Sequence, residues 1–520
     1  MISAERRAAP VDVERFRFKN FIDSLGDDQL ERHPEPVALR DVASFLEGNP
    51  RAVLLERVGL QSLALAGNVL GSRQRMARAF GVDRQHLLAE ILRRLRTKPE
   101  LVELTRDQAP VQEVVRTGSE ADVTTLPVHL QHGRDGGLYI SAAMDFAVDP
   151  VTKVTNVGLR RLMLYGRHMT GIDLVANSDL RTIFRASLER GEQRFPLSIV
   201  VGGHPIDYFG ATMRIPVDEI TLLAQLRDAP LPVVKSVTND ILVPADAEYV
   251  IEGYLGGEGY IRSEGPFGEF LGYYGGVKTN PVFHVTAITH RRDPVFQTLS
   301  ISGKAMSRTD TAQLTTLRTE VLVWRALEIA VREPVAVYAP PATGGVYNVR
   351  VSIRQRNPGE GRNAIAAVFA CMANVKNVFV VDPDIDVFSD EEMEWALATR
   401  MRPEDDIHVE SGFRVSPLDP TLPQGARTGS KAGFDLTLPF GTNSSLELSL
   451  PDVPAFAGPR FASVRAALEA GPKSFEELMA ATGTDDGREI VVLLEELTDQ
   501  GILARDGDEG KYFLKTRETQ

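Results

Sequence analysis

Apolar positions in residues 12–105 recur at intervals of three and four, as in the stretch 37–46 and at Leu87, Leu88, Ile91 and Leu95. That spacing gathers side chains on one face of a helix, so residues 1–110 are predicted to form a mainly helical or α/β cap. From about residue 110 the pattern shortens to β-branched runs cut by Gly, Pro and Asp, among them 138–144, 197–203 and 248–253. These runs predict a strand-rich domain over 111–320. A long helical stretch at 311–331 precedes strand-like runs at 335–338, 346–353 and 378–381 that alternate with helices. The alternation predicts an α/β domain over 321–455, and residues 456–520 read as a winged-helix-like module after the Pro-rich segment 451–459. The fold class expected is therefore α/β (α+β).

Composition narrows the function classes. At 520 residues the chain exceeds what one core accommodates, and 43% hydrophobic with 25% charged residues is ordinary globular composition. A net charge of -13 argues against a general nucleic-acid or anionic-membrane partner. The basic run Arg93-Arg94-Leu95-Arg96 sits in a helical pattern and reads as a solvated face, while residues 455–520 carry 13 acidic against 8 basic side chains. The single cysteine, Cys371, forms no internal disulfide and is expected as a buried small hydrophobe in a cytoplasmic protein. No run of about 18 apolar residues or secretory h-region occurs, so neither membrane spanning nor secretion is expected.

Three polar clusters carry candidate chemistry. In Arg262-Ser263-Glu264-Gly265-Pro266-Phe267-Gly268-Glu269, glycines let the chain fold tightly and bring Glu264 near Glu269. Two carboxylates in one enclosed site push their proton affinities apart, leaving one able to donate near neutral pH; a solvated surface hairpin is the competing reading. In Asn156-Val157-Gly158-Leu159-Arg160-Arg161, strand alternation sends Arg160 and Arg161 to opposite faces, so one points inward and needs carboxylate partners. The alternative is two surface arginines on an edge strand. Arg427-Thr428-Gly429-Ser430-Lys431 suits a phosphate but lacks Walker spacing.

Taken in order over roughly residues 110–440, these clusters resemble the UbiD family of prenylated-FMN decarboxylases. Further matching segments are Asn239 to Ala245 leading into Glu248 to Gly253, and Asp382-Pro383-Asp384-Ile385-Asp386, whose acids read as turn or subunit-contact residues. The resemblance implies a split-barrel flavin domain at 111–320 and an oligomerisation domain at 321–455. It implies removal or exchange of CO2 on an aromatic, heteroaromatic or α,β-unsaturated acid, phenazine-type acids among them. Glu269 would supply the proton, with Arg161 and Glu264 holding it and the substrate. Prenylated FMN would contact Ser141, Asn156, Gly158, Leu159, Arg161, Ser178, Ala211, Thr212, Met213, Glu252 and, through its phosphate, Lys431. Mn2+ or Mg2+ would be held by Asn156, Glu252 and Asp179, the last standing where the family has histidine, with K+ nearby. Arg214 departs from a usual proline. Substrate-pocket residues are expected in 299–308 and 436–443, with Phe440 toward the flavin. A flavin prenyltransferase would supply the cofactor, and a homodimer or larger homo-oligomer is expected. An FMN oxidoreductase and a non-catalytic scaffold are the rival functions.

Overall fold

The computed structural model describes residues 11–423, 425–442, 460–507 and 509–515. The chain forms two compact units that divide between Thr442 and Asn443, earlier than the sequence boundary at residue 455. Among the described residues no helix is long and apolar enough to cross a membrane.

The N-terminal part contains more strand than its periodicity suggests. Strands β1 (Leu30–Val37), β2 (Ala52–Val58) and β3 (Leu63–Gly67) form one sheet, with short helices at Phe18–Asp23, Val42–Leu46, Arg73–Phe80 and Leu87–Arg94. Of the helical and α/β forms expected for this cap, the α/β one is present. The run Ala52-Val53-Leu54-Leu55 is buried on both faces, and a strand buried on both faces shows no alternation by which to recognise it.

The central part is a closed barrel. Its strands are β4 (Tyr139–Val148), β5 (Thr155–Gly166), β6 (Met169–Ile172), β7 (Arg194–Val201), β8 (Tyr249–Glu264) and β9 (Lys278–His290). They pair antiparallel in the order β8, β7, β4, β5, β6, β9, and β9 pairs back onto β8. Closure leaves no exposed edge. At Gly253 on β8 an added Cβ would lie 2.0 Å from the His284 carbonyl oxygen on β9, so the closing seam requires glycine there. Helices α1 (Asp179–Glu189), α2 (Pro205–Thr212) and α3 (Glu219–Arg227) interrupt the barrel strands, and the N-terminus of α3 meets the start of β5. Nine of the ten residues of β4 are buried, as expected of a strand covered on both sides.

Past the barrel, β10 (Val295–Gln297) returns to complete the N-terminal sheet by pairing parallel with β3. The 21-residue helix α4 (Asp310–Ala330) then leads to a second sheet. That sheet contains β11 (Pro334–Tyr338), β12 (Asn348–Ile353), β13 (Asn377–Val381), β14 (Ile407–Arg414) and β15 (Thr428–Asp435), in the order β11, β12, β13, β15, β14. Helix α5 (Glu360–Cys371) packs on it. Cys371 lies exposed in the last turn of α5, correcting its expected burial; the apolar neighbours Val368 and Phe369 occupy the core face instead. Among its described residues the second unit holds three helices, Val464–Glu469, Phe475–Thr482 and Arg488–Asp499, and a hairpin of Leu503–Arg505 with Tyr512–Leu514 around its own small core.

The first residue of α4 ties three segments together. Asp310 Oδ1 accepts from the Leu70 amide at 2.6 Å, and Oδ2 accepts from the Ser300 amide at 2.8 Å and its hydroxyl at 3.0 Å. Further along the helix, buried Glu320 takes Arg73 Nη1 at 2.8 Å on both oxygens. Burial raises Asp310 to about 6, although its hydrogen bonds act to lower it. Removing the carboxylate leaves buried donors unsatisfied, each costing on the order of 1–3 kcal/mol. Asp310→Ala is therefore expected to lose about 3 kcal/mol of stability, read by urea denaturation. A carboxyl whose folded pKa exceeds its unfolded value stabilises increasingly as pH falls. The wild-type advantage should accordingly grow from pH 7 toward pH 5; a flat difference would count against this account.

Candidate active site

Arg161 lies on β5 with its guanidinium enclosed. Its Nε donates to Glu264 Oε1 at 2.9 Å and Nη2 to Glu264 Oε2 at 3.2 Å, while Nη1 donates to both Glu269 oxygens at 3.0 and 3.1 Å. Asp173, just past β6, adds Oδ2 at 3.0 Å from Nη2. Below the guanidinium the Phe267 ring lies 4.5 Å from Cζ. Burial by itself would lower the Arg161 pKa, but Glu269, Asp173 and Glu264 hold it well above the ordinary arginine value. For Asp173 burial acts upward and is outweighed by Arg161 and Lys278, which keep it below the usual carboxylate range.

Local backbone places these acids. Glu264 ends β8 opposite Lys278, the first residue of β9. Glu269 follows a short ribbon in which Phe267 and Gly268 pair with Gly275 and Tyr274. Gly275 must lack a side chain, because a Cβ there would lie 2.5 Å from Glu269 Oε1. The Gly268 amide donates to Asp135 Oδ1 at 2.9 Å, fixing the turn from outside. Asn280 Nδ2 gives Glu264 a further hydrogen bond of 3.2 Å.

A second polar site forms at the start of β5. Asn156 Nδ2 and the Val157 amide both donate to Glu219 Oε2 at 2.6 Å, which leaves the buried Asn156 Oδ1 without a hydrogen-bond partner. Glu219 is pushed up to about 7, first by burial and further by Asp179 and Asp145. Asp179 is the first residue of α1, whose N-cap Ser178 hydroxyl accepts from the Arg181 amide. Asp145 on β4 faces Gly158, is fully buried, and has neither carboxylate oxygen hydrogen-bonded, with Arg160 Nε at 3.3 Å. Its pKa is raised by burial, which the Arg160 charge offsets only in part.

Cations gather beside these oxygens. Burial, then Arg160 and Arg414, lowers the Arg214 pKa, and burial with Arg214 lowers Arg318 on α4 to about 10. Among the described residues neither Arg214 nor Arg318 has a hydrogen bond or ion pair, and the Nε atoms of Arg318 and Arg160 are buried without acceptors. Free oxygen lone pairs on Asn156 and Asp145, flanked by guanidinium groups with free donors, fit a divalent cation together with a phosphate dianion. No three His, Cys, Asp or Glu side chains converge as a metal group among the described residues; here the amide oxygen of Asn156 is the remaining donor.

Several sequence-predicted residues sit elsewhere. Glu252 is buried, but its carboxylate is satisfied by the amides of Val237 at 2.8 Å and Thr238 at 2.6 Å and by the Thr238 hydroxyl at 2.8 Å. The acid beside Asn156 is Glu219 instead, a correction to the expected metal set. Its only local signal is an acid in the first turn of a helix, which many helices show. Lys431 is likewise corrected: Nζ is buried and donates to the carbonyls of Phe369 at 3.1 Å and Met372 at 2.7 Å at the end of α5, which leaves it serving the helix rather than a phosphate. Burial lowers it to about 8. The Ser141 hydroxyl bonds both backbone groups of Leu299 at 2.9 Å, holding β4 to the segment that follows β10. Ala211 and Thr212 end α2 with Met213 as its C-cap, and the Thr212 hydroxyl donates to Phe209 O. Leu159 lies on β5 between Gly158 and Arg160, half-buried. Asp384 pairs with Arg400 and Asp382 accepts the Leu438 amide, both within the C-terminal sheet region. Phe440 is about half exposed, and residue 443 lies outside the described residues.

A buried arginine bridging paired carboxylates on a closed barrel suits an enzyme that handles a carboxylate and a proton. The chain belongs to the UbiD family and is a decarboxylase. Family models for the 3-octaprenyl-4-hydroxybenzoate carboxy-lyase match residues 27–95 as its N-terminal domain, 102–305 as its Rift-related domain and 312–436 as its C-terminal domain. Anhydromevalonate phosphate decarboxylase of Methanothermobacter thermautotrophicus is 31% identical over 435 residues, 82% of this chain and 97% of the relative. The UbiD-class enzyme HmfF of Pelotomaculum thermopropionicum, solved with FMN, superposes with TM-score 0.78 at 31% identity, over 84% of this chain and 97% of its own. An evolved dimeric form of HmfF with prFMN gives TM-score 0.75 at 30% identity, over 84% and 97% of the two chains.

If Glu219 and not Glu252 serves the cation site, the two variants should part. Glu219→Gln is expected to weaken Mn2+ binding by about tenfold or more in calorimetric titration, whereas Glu252→Gln should lower the melting temperature and leave Mn2+ affinity within about twofold.

Proposed function

We propose that this chain catalyses prenylated-FMN-dependent, reversible decarboxylation of an unsaturated or aromatic carboxylic acid, with Glu269 as the proton donor. The observation that carries this is the single guanidinium of Arg161 bridging Glu264 and Glu269 at 2.9 to 3.2 Å beside the phosphate-and-cation cradle. The HmfF structures with FMN and prFMN support the cofactor. Prenylated FMN, when bound, supplies the electron sink for loss of CO2. Asn156, Asp179 and Glu219 would hold Mn2+ or Mg2+, with K+ nearby, and Arg214 and Arg318 would face the phosphate.

The chain's own residues account for binding and protonation. Arg161 gives the substrate carboxylate a fixed cation in a largely buried site. As the bond between that carbon and the carboxylate breaks and CO2 leaves, Glu269 passes a proton to the carbon, and Glu264 with Asn280 holds the guanidinium in register. Glu269 then regains its proton from solvent, so one proton is consumed per CO2 released. In the carboxylation direction the same carboxylate removes it. A plain flavin reductase has no use for this arrangement.

A small cleft adjoins the Gly268 turn, lined by apolar Leu46, Leu299 and Ile301 as well as by His129, His132 and Ser300. His132 packs against Gly268, one residue from Glu269. Burial pushes His129 down to about 4, so it stays neutral. Anhydromevalonate phosphate, the substrate in the name of the archaeal relative, belongs in the panel of candidate acids. A flavin prenyltransferase would supply the cofactor, and a cytoplasmic homo-oligomer is the expected form.

The test pairs cofactor with proton donor. Protein co-expressed with a flavin prenyltransferase should release CO2 from a panel of unsaturated and aromatic acids, and protein carrying only FMN should not. Glu269→Gln should cut turnover and substrate H/D exchange by about 10^3-fold or more while retaining flavin; a fully active variant would end the assignment.

A further inference from the structure

Arg161 and its two glutamates do not stand alone. Lys278 Nζ lies 3.3 Å from Asp173 Oδ2 and 3.4 Å from Glu269 Oε1, and Asp173 also takes Arg161 Nη2 at 3.0 Å. Two cations therefore face three carboxylates in one connected cluster. Lys278 is its most exposed member, with a side chain 26% exposed against 9% for Glu269 and none for Glu264. It is partly exposed to solvent while its Nζ reaches the buried acids.

We propose that Lys278 and Asp173 are positioning residues that set how readily Glu269 holds the proton it donates, Lys278 by opposing protonation and Asp173 by drawing both cations away from Glu269. The inference rests on Glu269 being the proton donor. A cation against a carboxylate favours its charged form, and a neighbouring carboxylate favours the protonated form. Asp173 shares its Oδ2 between Arg161 and Lys278, so neutralising it leaves two cations acting on Glu269 and Glu264 alone. Neutralising Lys278 leaves three carboxylates sharing one guanidinium. The two changes push Glu269 in opposite directions, which a merely structural pair would not do.

The other charged groups around Glu269 are shared by both variants. Glu264 and Asn280 face it across Arg161. Tyr139 and Tyr165 sit on the Glu264 side, each with its hydroxyl proton held more firmly than usual, by burial first and then by Glu264. Asp135 and His132 brace Gly268 from below. None of these contacts Lys278 Nζ, whose partners are Asp173 and Glu269.

The experiment is the pH profile of kcat for the prenylated-FMN holoenzyme and four variants, each first checked for flavin content and melting temperature. In Lys278→Met the alkaline limb should move up by about one pH unit, and in the near-isosteric Asp173→Asn it should move down by about as much. Lys278→Arg should restore the wild-type limb. Limbs that move together, or that stay where wild type has them in both variants, overturn the proposal. Glu269→Gln separates the two readings: if it is inactive while both limbs stay put, Glu269 remains the donor and the pair has no such role; if it is active, the donor assignment itself falls. Should Lys278→Met fail to fold, Asp173→Asn and Lys278→Arg still decide, because a downward limb in the first with an unchanged limb in the second is the required result.

Discussion

A guanidinium withdrawn from water inside a barrel has to be answered by charge, since an unpaired buried ion costs several kcal/mol. At Arg161 the answer comes from Glu264, Glu269 and Asp173, each carried by a different stretch of backbone. Barrel closure between β8 and β9 brings Glu264 against Lys278, and the Phe267–Gly268 ribbon turns Glu269 back onto β5. Glycine at 253 and 275 and the Asp135 bond to Gly268 keep that approach close. The same arginine that would receive the substrate carboxylate thus holds the site together before substrate arrives.

The second charge problem is left open by the protein's own groups. Arg318 Nε is buried without an acceptor, and Asn156 Oδ1 and both Asp145 oxygens are buried without a hydrogen bond. Unsatisfied buried polar atoms of both signs, adjacent to one another, are costly unless a ligand completes them. The chain stores at this place a deficit that a cation and a phosphate would cancel. Stability comes from elsewhere, notably from Asp310 and Glu320 on α4, which bind the N-terminal sheet region to the rest of the first unit.

Much of the site could be read along the chain. Asn156, Arg161, Glu264 and Glu269 lie in short segments whose glycines and charges stand out from the apolar runs around them, and strand alternation separates Arg160 from Arg161. Glu219 could not be read in this way. It lies 63 residues from Asn156, in a helical first turn where an acid is commonplace, and only folding of α3 against β5 singles it out. Glu252 misled for the opposite reason, since its surrounding motif is distinctive while its carboxylate is spent on the Val237 and Thr238 backbone.

The sequence by itself determined the alternation of strand and helix past residue 110, the identity of the acids and the arginine, and the family they belong to, because these are carried by local spacing and by side-chain chemistry. Tertiary structure alone decided that the N-terminal cap is a sheet completed by residues 295–297, that Lys431 turns inward to the end of α5, and that Asp173 and Lys278 join Arg161. Each of those is a contact between residues far apart in the chain. Nothing in a local window encodes which distant carbonyl or carboxylate will be within 3 Å once the barrel closes.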